Sequence, residues 1–224
     1  MQYVVELFVF LLFLIIPPFF SSPTTTTSPL PYSNIELIIL FSIALYCFFR
    51  SYKTLKNQEL CYNFSTEIKF IKKVLFSIFV LFFLLINGFF WQFVASFFPS
   101  NISSNIIETS QIVFNPFQII VFLISAFYEE SLYRLFLPYS ISKSLLFFTR
   151  KEGLTKLEFI LTELISVLLF SFGHIYMGIF AVLNAFFAGF ALRFLIWKSK
   201  SVFPSTIIHF IYNLVLYLSM FTKA

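Results

Sequence analysis

The sequence predicts an all-α protein, a polytopic bundle of about seven transmembrane helices (six to eight). Hydrophobic residues make up 59% of the 224 positions, and the mean hydropathy is +0.92. Charged residues make up 11%, whereas a soluble domain carries about a quarter. The apolar residues also come in runs near the length of about 20 that a helix needs to cross a bilayer. We therefore expect residues 1–224 to form a single membrane domain.

Seven apolar runs are the predicted spans: 3–20, 35–50, 73–98, 112–140, 158–176, 178–197 and 204–221. The first run could instead be a cleaved signal peptide. We expect it to be retained, because it carries Glu6, lacks a basic region before it, and holds Pro17 and Pro18 where a small-residue cleavage site would stand.

The basic residues predict how the bundle is oriented. Lysines and arginines cluster in segments 50–73, 143–156 and 198–200, whereas the loops at 21–34, 99–111 and around 177 have none. Basic loops stay on the cytoplasmic side, so we expect the N-terminus inside the cell and the C-terminus outside. Because the net charge of +5 lies in these loops, we expect lipid and no nucleic acid as a partner. The small size and simple loops favour a bacterial cytoplasmic membrane.

A pair of adjacent glutamates lies inside the fourth apolar run. Ionisable residues are expensive within a bilayer, so they are candidates for function. Side chains of neighbouring helical residues point about 100° apart, which predicts separate roles for Glu129 and Glu130. Arg134 follows Glu130 by one turn and is expected to pair with it. Glu129 is then less neutralised and could act as a general base on water.

The chain has two histidines, and each lies one helical turn from a partner. His209 and Asn213 can both donate hydrogen bonds, which suits the oxyanion that a carbonyl becomes during hydrolysis. His174 follows Phe170, whose ring could form a floor while the imidazole orients or deprotonates water. Taken singly, each motif could instead be polar glue between helices or an interfacial residue.

The other polar residues are predicted to lie outside the site. Arg193 is expected to snorkel to the cytoplasmic interface. Cys47 and Cys61 are too few for a disulfide framework and are interpreted as ordinary thiols. The chain has no aspartate, which excludes an aspartyl dyad and a Ser-His-Asp triad. Three glutamates at or near the starts of spans are not assigned to the site: Glu36, Glu158 and Glu163.

Three motifs occur in order along successive apolar runs: Glu129-Glu130…Arg134, Phe170…His174 and His209…Asn213. This set resembles the signature of the CAAX protease and bacteriocin-processing (CPBP or Abi) family, which includes the type II CAAX prenyl endopeptidases. The resemblance covers roughly the C-terminal half of the chain. It implies a catalytic core over residues 112–221, preceded by spans in 1–100 that carry no recognisable motif.

The resemblance implies an intramembrane endopeptidase that cleaves peptide or lipidated protein substrates in a cavity open toward the cytoplasm. Substrates of this class include lipidated peptides, leader peptides and bacteriocin precursors. The implied roles are water activation by Glu129 and His174, an oxyanion hole of His209 and Asn213, and support from Glu130 and Arg134.

The family has been interpreted both as metalloproteases and as glutamate-type proteases. We expect that no cofactor is required, because the chain lacks a His-Glu-x-x-His motif and its candidate ligands lie on three separate spans. The alternative is a catalytic Zn²⁺ held by Glu129, His174 and His209.

The competing functional hypothesis is a non-catalytic membrane protein, such as a bacteriocin self-immunity factor, that uses the polar cluster only as glue. The depth of the two histidines bears on this choice. Straight crossings would separate His174 and His209 by about 15–20 Å along the membrane normal at 1.5 Å rise per residue. A break at Gly173 and Gly178 would keep His174 deeper, and the enzyme hypothesis requires that the motifs meet.

Overall fold

The computed structural model describes residues 1–20, 34–56, 69–98 and 116–221, with side chains over 1–20, 34–52, 69–98 and 116–219. Throughout these ranges the regular structure is helical, and none of them contains a strand. The predicted all-α fold class is therefore confirmed.

The helices lie in or near the predicted runs, but the fourth run, 112–140, is broken into two helices, the second of which extends to Thr149. They are α1 (Gln2–Phe10), α2 (Asn34–Lys56), α3 (Phe70–Ala95), α4 (Phe117–Glu129), α5 (Leu137–Thr149), α6 (Lys156–Phe172), α7 (Ile179–Ser199) and α8 (Phe203–Phe221). A π-helical segment, Leu11–Ile15, and a 3₁₀ turn, Pro17–Phe20, continue α1. A second π-helical segment, Glu130–Phe136, joins α4 to α5 and is called the π turn below.

Four helical segments in the described ranges are long and apolar enough to cross a membrane: Gln2–Phe20, Asn34–Tyr52, Phe70–Ala95 and Ile179–Ser199. A shorter apolar helix covers Phe203–Ser219. Large apolar side chains on these helices are widely exposed, as at Phe70 (78%) and Ile86 (67%). Such surfaces suit lipid rather than water, so the chain is an integral membrane protein.

The π turn lies at the centre of the bundle. Every residue from Glu130 to Ser140 is buried, including the charged Glu130 and Arg134. The apolar cluster around it draws on α1, α2, α6 and α7 through Ile15, Cys47, Leu132, Tyr133, Phe136, Leu137, Phe170 and Ala185. Helices from both halves of the chain therefore support this turn.

The fifth predicted run, 158–176, is not one continuous helix. Helix α6 starts at a capping box in which Thr155 and Glu158 satisfy each other's backbone N–H groups, and it ends at Phe172. A short 3₁₀ turn, Ile175–Met177, follows. Gly178 then adopts a φ of 98°, a conformation that favours glycine, and α7 begins. The break at Gly173 and Gly178 leaves His174 in a turn.

A second apolar cluster joins α3, α7 and α8, and a polar chain runs through it. Asn87 Nδ2 donates to Asn184 Oδ1 at 2.6 Å, and Asn184 Nδ2 donates to the Tyr212 hydroxyl at 2.9 Å. Trp91 Nε1 donates to Asn87 Oδ1 at 3.1 Å. These bonds tie α3, α7 and α8 together.

Candidate active site

Glu130 is fully buried, and both of its carboxylate oxygens have partners. His209 Nδ1 lies 2.9 Å from Oε1, and the Ser205 hydroxyl donates to Oε2. Arg134 Nε lies 3.5 Å from Oε1, so the ion pair predicted from the spacing is present. The charge of Glu130 is thus balanced within the protein, which a buried carboxylate requires.

Glu129 has a different environment, although it is the next residue. Its side chain is a quarter exposed, and its Oε2 atom has no hydrogen-bond donor among the described residues. That oxygen lies 3.6 Å from His209 Nε2. A single imidazole therefore stands between the two glutamates, with Nδ1 toward Glu130 and Nε2 toward Glu129.

The ring of Phe170 is where the three motifs meet. The ring centroid of His174 lies 4.8 Å from that of Phe170, and the centroid of His209 lies 6.4 Å from it. The Arg134 guanidinium carbon lies 3.6 Å from the same ring centre, close enough for a cation–π contact. Phe170 is thus the floor that its spacing from His174 predicted.

The large depth difference between the histidines, expected for straight crossings, is wrong. Both imidazoles pack on one phenylalanine ring. The reason is local: α6 ends at Phe172 after 17 residues, and His174 follows in the turn that begins at Gly173. His174 therefore does not continue along a straight crossing, and its ring turns toward Phe170.

The hydrogen bond of His174 fixes which of its nitrogens can react. Nδ1 lies 3.0 Å from the backbone oxygen of Phe170. A carbonyl oxygen only accepts hydrogen bonds, so Nδ1 carries the proton and Nε2 of the neutral ring is an acceptor. His174 is half-buried and lies within electrostatic range of Glu129. Its Nε2 can therefore accept a hydrogen bond from water close to that carboxylate.

Asn213 lies on α8 one turn after His209, as the sequence predicted, and is half-buried. Its amide is not used in any hydrogen bond to the described side chains or backbone, so it can donate to a ligand.

The arrangement of the candidate ligands bears on the zinc alternative. Within the described ranges, no three His, Cys, Asp or Glu side chains converge closely enough to hold a metal ion. Glu129, His174 and His209 share a site but do not form such a group. As arranged, these residues do not fit a three-ligand zinc site, and we derive no chemical step through a metal.

Two features of the site are absent from the sequence-based prediction. Ser205 lies one turn before His209 on α8, and this spacing could have revealed it. The prediction that Arg193 snorkels is wrong: the residue is 6% exposed and pairs with Glu163 inside the protein. Hydropathy placed Arg193 near the end of a span, but only packing shows that its side chain turns inward.

Comparison with known protein families gives a match. Residues 111–215 match the family described as type II CAAX prenyl endopeptidase, Rce1-like. Searches of curated proteins and of solved structures gave no match. The matched segment includes all three motifs and the helices that bring them together. Residues 111–215 of this chain are thus similar to the Rce1-like type II CAAX prenyl endopeptidase family, and the resemblance seen in its motifs is confirmed.

Proposed function

We propose that this protein is an intramembrane endopeptidase that hydrolyses peptide bonds in membrane-associated or lipidated protein substrates. The family match supports a protease at a general level, and a prenyl endopeptidase family favours a lipidated substrate. In this proposal residues 112–221 form the catalytic core, and the spans in 1–100 support it. The protein resides in a bacterial cytoplasmic membrane, with its N-terminus on the cytoplasmic side.

The observation that carries the proposal is the contrast between the two glutamates. Glu130 is fully buried and has partners at both oxygens, whereas Glu129 keeps one oxygen without a donor, 3.6 Å from His209 Nε2 and within electrostatic range of His174. A carboxylate that only links helices would have hydrogen-bond partners at both oxygens, as Glu130 has. An unsatisfied, partly exposed carboxylate beside imidazoles suits a general base.

In the proposed reaction Glu129 accepts a proton from a water molecule while the water oxygen attacks the scissile carbonyl carbon. The Nε2 lone pair of His174 accepts a hydrogen bond from the same water and orients it. The C–N bond then breaks, and the proton held by Glu129 passes to the leaving amine. These steps consume one water and yield a carboxylic acid, which then loses its proton to solvent, and an amine, without a covalent enzyme intermediate.

Asn213 and His209 stabilise the oxyanion in this proposal. The Asn213 amide donates directly. The Nδ1 atom of His209 faces the Glu130 carboxylate, which only accepts, so a neutral ring has no proton on Nε2. Donation from Nε2 therefore requires the imidazolium form, whose positive charge the neighbouring carboxylates balance. Glu130, Arg134 and Ser205 support the site by holding this ring in place.

The proposed mechanism uses no cofactor: Glu129 supplies the base, and the His209 and Asn213 donors supply the electrophilic assistance. Purified protein treated with a chelator is therefore expected to retain its turnover.

The first test compares peptide ends in membranes that contain wild-type protein or an equally expressed Glu129→Gln variant. Glutamine keeps the size of the side chain and removes the base, so we expect turnover to fall by at least about 10²-fold. Terminal-peptide proteomics should then find new peptide ends with the wild type only. The sequences at those ends would identify the substrate class.

A matched control is Glu158→Gln at the start of α6, the same chemical change outside the site. Glutamine can still complete the capping box with Thr155, so we expect wild-type peptide ends. Identical peptide ends for wild type and Glu129→Gln, with both proteins folded, would overturn the protease proposal. That result would favour the non-catalytic immunity or binding protein.

A further inference from the structure

A buried ion pair links α6 to α7 away from the histidines. Arg193 Nε donates to Glu163 Oε2 at 2.7 Å, and an Arg193 terminal nitrogen donates to Glu163 Oε1 at 2.6 Å. Both residues are buried, and they border an apolar cavity of about 630 Å³ lined mainly by phenylalanines of α3 and α7. The two-pronged geometry orients the guanidinium firmly.

The other terminal nitrogen of Arg193 donates to the backbone carbonyl of Arg134, inside the π turn. In a regular α-helix this carbonyl would accept from the N–H of residue 138. Residue 138 is a proline and has no N–H. Pro138 therefore cannot supply the α-helical donor for this carbonyl, and Arg193 donates to it from α7.

The carbonyl held in this way belongs to a residue of the candidate site. Arg134 pairs with Glu130 and stacks on Phe170, and Glu130 in turn accepts from His209. A shift of the π turn would move these contacts together. A buried charged pair is costly to form and by itself is weak evidence for stability, so its retention calls for another role.

We propose that Arg193, oriented by Glu163, is a positioning residue: it supplies the hydrogen bond that Pro138 cannot and so fixes the π turn that holds Glu130 against His209. The expected effect on catalysis rests on the proposed function. The structural claim is that the Glu163–Arg193 pair controls the environment of His209, and this claim can be tested without any substrate.

The decisive variant is the double substitution Glu163→Met with Arg193→Met. It removes the hydrogen bond to Arg134 without leaving one buried charge unpaired, and apolar replacement of a buried pair is often neutral for stability. The same double substitution is then made together with Pro138→Ala. Alanine restores an N–H at residue 138, which can satisfy the Arg134 carbonyl within the helix.

The readout is ¹⁵N-histidine NMR of the full-length protein in detergent micelles. The chain has two histidines, so His174→Gln assigns their signals. We expect the double substitution to move or broaden the ring signals of His209, and Pro138→Ala to restore them at least in part. Unchanged His209 signals in the double variant would overturn the proposal. It would also be overturned if the His209 signals were shifted equally in the double variant with and without Pro138→Ala.

Peptidase kinetics provide the second readout once a substrate is known. We expect the double substitution to lower kcat about tenfold or more per folded molecule with little change in KM, because small displacements of catalytic groups are costly. A loss in KM alone would contradict a positioning role. If wild-type protein cleaves nothing, the proposed function fails, whereas the NMR comparison still decides whether Arg193 positions His209.

Discussion

At the scale of single residues, the adjacent glutamates Glu129 and Glu130 lie in two different environments. Glu130 is enclosed by Arg134, Ser205 and His209, whereas Glu129 is a quarter exposed and only approaches His209. The enclosed carboxylate can hold a ring but cannot readily accept a proton from water. The sequence supports this division through the spacing to Arg134, and the structure adds Ser205 and the shared histidine.

Replacement of Asn213 tests the oxyanion hole. Asn213→Asp keeps the shape of the side chain but replaces its N–H donors with an acceptor, so we expect kcat to fall about 10²–10³-fold with KM nearly unchanged. Steady-state kinetics on a substrate found by peptide-end analysis would measure this. A variant that retains wild-type kcat would show that Asn213 does not contact the reacting oxygen.

Replacement of Ser205 tests the support of Glu130. Ser205→Ala removes the donor to Oε2, and a hydrogen bond to a charged group is worth roughly 1.5–3 kcal/mol. We expect the free energy of unfolding in mixed micelles to fall by about that amount. Thr206→Val is the matched control, because the buried Thr206 hydroxyl has no hydrogen-bond partner among the described residues. Equal losses in both variants would contradict this account.

At the scale of helices, the site depends on two departures from regular helix. The π turn begins at Glu130 and is followed by Pro138, and α6 ends at Phe172, two residues before His174. π-helical turns occur often at functional sites because they change which side chains face inward. A regular helix through either region would separate the motifs that these irregular segments bring together.

The packing of α3 against α8 yields a prediction at Gly88. A Cβ atom there would lie 2.6 Å from the Tyr212 hydroxyl, which also accepts from Asn184. We expect Gly88→Ala to lower the free energy of unfolding by roughly 1–3 kcal/mol through overpacking. Unfolding in mixed micelles measures it.

Tyr212→Phe removes the atom that the new methyl group would meet. The effect of Gly88→Ala should therefore be smaller in that background. Gly153→Ala is the neutral control, since a Cβ there has no neighbour within 4 Å. Strict additivity of Gly88→Ala and Tyr212→Phe would show that the close contact is not the cause.

At the scale of the whole molecule, the positions of basic loops predict orientation. Single cysteines introduced at Ser104 and at Glu152, with Cys47 and Cys61 replaced by serine or alanine, lie in loops predicted on opposite sides. A membrane-impermeant maleimide added to intact cells should label residue 104 and leave residue 152 unlabelled until the cells are opened. The reverse labelling pattern would invert the predicted orientation.

The features that depend on composition and local spacing could be predicted from the sequence alone. The bilayer requires long apolar helices, so hydropathy alone predicted a helical membrane bundle and the runs that form it. Helical spacing joined Glu130 to Arg134, Phe170 to His174 and His209 to Asn213. The family resemblance followed from these same motifs, because they are short and occur in a fixed order.

The contacts of these motifs could not be predicted in the same way, because they form between distant parts of the chain. The placement of both histidines on Phe170, the sharing of His209 between two glutamates and the inward turn of Arg193 all depend on residues far apart in the chain. Hydropathy treats a charged residue near the end of a span as one that reaches water. Packing instead provides the buried Glu163 carboxylate and the Arg134 carbonyl as partners, which make an inward arginine favourable.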